Sequence, residues 1–266
     1  MENYKETEKQ HYDEQAKRWL KEHGVELEHG DKTDVSGMEV LLMRSYAYVY
    51  KLLKQSVYKK TVLDYGCGHG MHTVPIAEWG GYVTGIDISE ESLKIARARA
   101  FKAGVEGFIT FIQGDCEALP FKEDSFEIVF DGGTFSSLDL RKAFPEIHRV
   151  LKPGGILVGI ETLGHNPLTN LKRWLNRRRG IRTGWAADHI FKMQDYELAK
   201  QYFEIEEVRF FHLFSIFAFP LRRLPGGKLL FRALEIIDIP FLAFLPFIRR
   251  FGFKTVFVMS KRERSK

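Results

Sequence analysis

The sequence predicts an α/β fold: a mainly parallel sheet with helices on both faces, extended by two later strands to seven. Three observations carry that prediction. From residue 61 to residue 161, short apolar strands alternate with helix-patterned segments. The first strand, TVLDY, runs straight into GCGHGMHT, with glycines at 66, 68 and 70. In an open α/β sheet such a turn, at the carboxyl end of a strand, lets backbone come close to a ligand. After residue 161 the alternation stops, and two longer strand patterns enclose a proline-broken apolar segment.

Residues 3–23 and 37–57 are patterned as helices. The first is charged, with Tyr12, Ala16, Trp19 and Leu20 at helical spacing; the second is more apolar. Residues 24–37, glycine-bearing and charged, read as a loop. TVLDY (61–65) is a short buried strand, and 71–79 a helix ended by Gly80 and Gly81. YVTGID (82–87) is the second strand. Ser89 caps the following helix, Glu90 and Glu91 suit its dipole, and Gly104 stops it. FITFIQGD (108–115), FEIVFD (126–131) and GGILVGIE (154–161) are the third to fifth strands. A helix over 139–152 precedes the fifth, stopped by Pro153-Gly154-Gly155. Residues 166–182 form a strongly basic helix, 195–203 a short one, and 204–214 and 252–262 the last two strands. The expected organisation is a helical lid over 1–58 and a sheet domain over 59–266, with an apolar insertion at 214–251.

At 266 residues, 44% apolar and 28% charged, the chain suits one elaborated globular domain. Two cysteines and no apolar leader pattern point to a reducing, cytoplasmic setting rather than a disulfide framework. No run of about 18 apolar residues predicts a membrane span. Charge is uneven. Residues 166–266 hold 20 Lys and Arg against 9 Asp and Glu, which leaves 20 against 26 in residues 1–165. A basic second half implies that one face meets something anionic.

The glycine turn admits two ligand classes. A dinucleotide site wants G-x-G-x-x-G, but the spacing here is G-x-G-x-G, and Met71 stands where the third glycine would pack the helix. Asp64 precedes the first glycine, where its charge would repel a pyrophosphate and suit an ammonium. Asp87, 21 residues after Gly66, ends the second strand where a carboxylate meets ribose hydroxyls. A ligand with adenosine, an ammonium and no phosphate is S-adenosylmethionine (SAM).

The chain resembles the class I SAM-dependent methyltransferases, in the group that includes ubiquinone and menaquinone biosynthesis methyltransferases. VLDYGCGHG, GIDIS, GDCEALPFKEDSFEIVF and EIHRVLKPGGIL carry the resemblance, in order, over roughly residues 60–162. It implies a Rossmann-like seven-stranded mixed sheet with the last strand antiparallel. It also implies that Asp64 holds the methionine ammonium, and that Gly66, Cys67 and Gly68 line the amino-acid part. Asp87 would take the ribose hydroxyls, Ile88 the adenine face, Asp115 the adenine amino group and Cys116 a neighbouring backbone contact. Asp131 and Gly132 would face the methionine part and the incoming acceptor. The product would be S-adenosylhomocysteine.

Outside those motifs the residues have competing readings. Cys67 and Cys116 read as packing residues within the motifs, and no His, Cys and acid spacing recommends a metal. His148 reads as structural, and His69 as a neighbour of the cofactor. His189, and less so His165, lie after the fifth strand where a general base would stand, with Asp188 beside them; capping or backbone bonding is the bland alternative. Tyr12 and Trp19 form either part of a lid or the packed stripe of an amphipathic helix. Lys172, Arg173, Arg177, Arg178, Arg179 and Arg182 suit RNA phosphates, anionic headgroups, or plain solvation. Residues 210–251 decide between these. Their Phe, Leu and Ile runs, broken by Pro220, Pro225, Pro240 and Pro246 and flanked by Arg222–Arg223 and Arg249–Arg250, suit a lipid interface better than bases. This half also resembles methyltransferases of surface polysaccharides and lipid-linked glycans. The expected reaction is therefore O-methylation of a hydrophobic or lipid-linked small molecule at an anionic membrane surface. The alternatives are an RNA methyltransferase or a SAM-binding protein without catalysis. The first lacks its motif, since Asn166-Pro167 is followed by Leu168-Thr169.

Overall fold

The computed structural model describes residues 4–23, 43–178 and 183–262. The chain order is α1 (Tyr4–His23), α2 (Arg44–Ser56), β1 (Thr61–Tyr65), α3 (Thr73–Glu78), β2 (Tyr82–Asp87), α4 (Glu90–Ala103), β3 (Ile109–Gln113), β4 (Phe126–Asp131), α5 (Leu140–Val150) and β5 (Leu151–Thr162). There follow α6 (Pro167–Arg178), α7 (Gly184–Asp188), α8 (Met193–Ala199), β6 (Phe203–Phe211), α9 (Ser215–Ala218), α10 (Gly227–Phe244) and β7 (Lys254–Lys261). The expected loop over 24–37, and residues 37–42 of the second expected helix, lie outside the described residues.

One seven-stranded sheet runs in the order β3-β2-β1-β4-β5-β7-β6. Strands β1 to β5 pair in parallel, and β7 is antiparallel to both β5 and β6. This is the Rossmann-like mixed sheet the motifs imply. Two antiparallel pairings in succession leave β6 pointing the same way as β5. The ends of β1 to β6 and the start of β7 therefore share one edge, and the functional residues gather there.

Local sequence explains the helix boundaries. Ser89 Oγ accepts the Ser92 N–H at 3.0 Å, and Gly104 closes α4 at φ 68°. Asp139 caps α5 by accepting the Arg141 N–H at 3.1 Å. Boundaries differ from expectation in two places: the short helix expected over 195–203 is α8, Met193–Ala199, with Phe203 opening β6, and the end of α5 also moves. The expected helix over 139–152 ends at Val150, and Leu151-Lys152-Pro153-Gly154-Gly155 already belongs to β5. Phe126 pairs with Leu151 before the register shifts, so pairing with β4 wins over helical continuation.

The sheet is covered on both faces. One face packs Phe135, Phe144, Phe191, Phe203 and Phe257 under α5 and α8; the other packs Tyr46, Val49, Leu53, Phe130 and Val256 under α2, with α3 and α10. Removing a buried Phe of this kind costs roughly 3–5 kcal/mol. Residues 212–253 leave and rejoin the sheet at its carboxyl edge. There Asp238 accepts N–H bonds from Leu213, Phe214 and Ser215, at 3.0, 2.7 and 3.3 Å, clamping α10 to the end of β6.

Candidate functional site

The glycine turn uses backbone that side chains disfavour. Gly66 and Gly70 have φ of 70° and 74°, the left-handed region that glycine enters freely. A Cβ on Gly66 would lie 2.3 Å from Thr134 Oγ1, and one on Gly70 2.9 Å from Ala96 Cβ. Gly70 thus lets the turn approach α4 closely. A Cβ on Gly68 would meet nothing within 4 Å, so open space lies over the middle of the turn.

Three carboxylates surround that space. Asp87, at the end of β2, accepts the Gly68 N–H on Oδ2 at 2.8 Å and the Ser89 N–H on Oδ1 at 2.9 Å. Burial raises its pKa, and those two bonds oppose the rise. Asp64 is buried beneath the turn and accepts from Thr73 Oγ1 at 2.5 Å. Burial lifts its carboxyl to about 7; the Thr73 bond pulls it down and the Asp87 charge pushes it further up. Among the described residues no Lys or Arg pairs with Asp64, so an incoming cation would be its counter-ion. Asp115 follows β3, accepts the Glu117 N–H at 2.8 Å and is bonded by Lys5. These are the three acids for which the sequence motifs imply contacts to SAM. Ile88 is half-buried beside Asp87, with its carbonyl accepting from Gln113 Nε2 at 3.1 Å.

Both cysteines are buried and free. Burial is the first cause of their raised thiol pKa values, and neighbouring carboxylates add to it. They are inert packing groups, with the Cys116 carbonyl accepting from Tyr65 Oη at 2.5 Å.

Helix α1 lies across this edge. Tyr4 donates to Glu117, and Glu8 accepts from Thr183. Tyr12 Oη lies 2.9 Å from Ser137 Oγ, and Asp13 accepts from Ser89 Oγ at 2.6 Å. Trp19 tilts against His69, with ring centres 5.6 Å apart. One face of α1 thus touches all three strand ends that carry the motif acids.

Asp131 ends β4 fully buried, its Oδ1 accepting the Thr134 N–H at 2.9 Å while Oδ2 has no hydrogen-bond donor. Burial first, then the adjacent Glu161 carboxylate, pushes its pKa well up. The two buried carboxyls thus disfavour ionising together. Gly132 follows, with the His72 ring against it; a Cβ there would lie 2.8 Å from His72 Cδ2.

Both later histidines bond main-chain groups. His165 Nε2 accepts the Met193 N–H at 3.1 Å, at the start of α8. His189 is exposed, stacks on Trp185 at 3.6 Å and bonds the Trp185 carbonyl at 3.0 Å through Nδ1. Asp188 pairs with Arg177 at 3.0 Å. Of the basic helix, Arg173 is buried and donates to the Leu163 carbonyl at 3.0 Å, and Arg178 covers the Trp174 ring at 3.8 Å. Arg179 and Arg182 lie outside the described residues. Sequence reading missed Glu161, His72, Tyr46 and Lys254. His72 was within reach, two residues past the last glycine; Lys254 carried no signal.

A cavity of about 290 Å³ opens between α10 and β6, lined by Phe210, Phe211, Leu242, Arg44, Arg209 and Arg249 among others. No helix among the described residues is long and apolar enough to cross a membrane, and those residues contain no metal-binding cluster.

Comparison with known proteins agrees with this geometry. Residues 63–159 match the methyltransferase domain family Methyltransf_11. Over 106 residues the chain is 42% identical to a demethylmenaquinone methyltransferase of Lactococcus lactis, a match covering 38% of this chain and 42% of that protein. Over 97 residues it is 40% identical to a sterol 24-C-methyltransferase of Gibberella zeae, covering 36% of this chain and 26% of that one. The chain thus matches less than half the length of these curated relatives. A geranyl diphosphate methyltransferase, solved with GPP and sinefungin, superposes with a TM-score of 0.66 at 14% identity, covering 98% of this chain and 99% of that one. The motif acids, the glycine turn, the sheet order and these relatives together support a class I SAM-dependent methyltransferase domain over residues 63–159, with SAM the cofactor they point to.

Proposed function

We propose that this protein transfers a methyl group from SAM to a hydrophobic or lipid-linked small molecule, by O-methylation, at an anionic membrane surface. The observation that carries the methyl-transfer reading is the set Asp64, Asp87 and Asp115 around the open turn at Gly68. SAM supplies a methyl already activated on a sulfonium, so positioning carries much of the rate. Asp64 would fix the amino-acid end, Asp87 the ribose and Asp115 the adenine. In this reading α1 is a lid, and Lys5 must give up Asp115 when the cofactor enters. This reading needs no proton transfer by His165 or His189, because the methyl group of SAM is already activated.

Two observations support the acceptor class. The relatives' names specify demethylmenaquinone, sterol and geranyl diphosphate methylation. The outer face of α10 also exposes Leu229, Ile236, Ile237, Phe241 and Phe244, with arginines at both ends of the insertion. RNA is disfavoured because Arg173 and Arg177 are engaged within the protein. Incubating the protein with isotope-labelled SAM and fractionated lipid extracts tests the reading. A labelled methyl on a lipid-fraction species is expected; SAM binding with no labelled product from any extract would leave the non-catalytic alternative.

A further inference from the structure

We propose that Lys254, with His72 and Tyr46, forms an anion-binding recess beside Gly132 that takes the acceptor's nucleophile as an ionised oxygen. The acceptor class would then be acidic hydroxyl compounds such as phenols and enols. This rests on the methyltransferase reading above.

Lys254 opens β7 at the carboxyl edge, in register with Thr162 of β5 and Phe211 of β6. It is only 7% exposed. Among the described residues no carboxylate lies within 4.0 Å of its Nζ, which instead faces the Tyr46 ring at 5.4 Å. A buried ammonium without a counter-ion is costly, and one ring face offsets only part of that cost. Tyr46 lies parallel to the His72 ring, 6.0 Å between centres and 7° apart. His72 Nδ1 is 2.8 Å from Tyr50 Oη, and its Nε2 edge turns to Gly132, where a Cβ would lie 3.2 Å away.

The same charge is felt by both imidazoles nearby. Burial first, then Lys254, pushes His72 down to about 4; burial, Lys254 and Arg44 push His212 down to about 3. Both rings are therefore neutral at neutral pH, so neither competes with Lys254 for an anion. The recess also touches the cofactor turn. His72 is followed by Thr73, whose hydroxyl bonds Asp64, and Gly132 leads into Thr134, which bonds the Tyr65 carbonyl at 3.0 Å. An oxygen held against Lys254 and His72 would stand next to the site where Asp64 receives an ammonium. The hydroxyl proton passes to solvent as the acceptor binds, so no protein base is required.

The test uses 4-nitrophenol, whose ionised form absorbs distinctly in the visible, added to the full chain with S-adenosylhomocysteine bound. The dye's apparent pKa should fall on binding by about one unit, a tenfold gain in the ionised fraction at a given pH. Lys254→Met should abolish the fall and Lys254→Arg should keep it, while all three proteins melt cooperatively and bind S-adenosylhomocysteine alike. An equal fall in Lys254→Met, or no fall in the parent protein, would overturn the recess. Failure of the parent protein to bind S-adenosylhomocysteine would take down the methyltransferase reading as well.

Discussion

The two halves of the carboxyl edge are built in opposite ways. At the cofactor end, the acids mostly accept from groups at most 19 residues away in the chain, Asp64 from Thr73, Asp87 from Gly68 and Ser89, Asp115 from Glu117, with Lys5 adding one distant bond to Asp115. At the acceptor end, Tyr46, His72, Gly132 and Lys254 come from α2, two loops and the last strand. A site for an invariant cofactor can be written as short local motifs. A site for the acceptor that distinguishes one enzyme from another is assembled across the fold.

The largest effect should come from breaking the local half. Asp87→Ala removes both the expected ribose acceptor and the bond that holds the Gly68 N–H. Losing charged hydrogen bonds of this kind should weaken SAM binding by ~1–3 kcal/mol or more, about 5- to 160-fold. Calorimetric titration reads this directly, and unchanged affinity would show that the ribose is held elsewhere.

A smaller, pH-dependent effect should come from Asp64. An ammonium needs the ionised carboxylate, and in the free protein that group titrates near 7. Affinity for SAM should therefore rise about tenfold per unit as pH climbs toward 7 and level off above it. Asp64→Asn should bind weakly and lose this slope. Stability runs the other way. The folded pKa lies above the ordinary carboxylate value, so the ligand-free protein loses stability as pH rises from about 4 to about 7. Asp64→Asn should then melt higher than the parent protein at alkaline pH, as scanning calorimetry would show; a lower melting temperature would contradict the buried, unpaired carboxylate.

The smallest intrinsic effect belongs to the assembled half. Leu229→Glu and Ile236→Glu on exposed α10 should change stability by no more than about 0.5 kcal/mol, yet reduce flotation with anionic vesicles. If the parent protein fails to float with such vesicles, α10 is no membrane face.

Much of the cofactor half was legible beforehand. Period-2 and helical patterning marked all seven strands, and TVLDYGCGHG with Asp87 marked the ligand edge. Two details escaped. Strand β5 begins at Leu151 because pairing with β4 overrides the helix before it. Gly70, not a later residue, packs on Ala96 because the turn places it against α4.

The sequence alone determined the sheet, its glycine turn and the chemistry of a phosphate-free adenosine ligand, because those depend on periodicity and on residues close in the chain. Only the tertiary structure decided that α1 crosses the motif acids, that Asp131 is buried against the Glu161 carboxylate, and that Lys254 lies buried near His72 and Tyr46. Each of these depends on which side chains meet across the fold, and burial and charge then act on groups that no local pattern links.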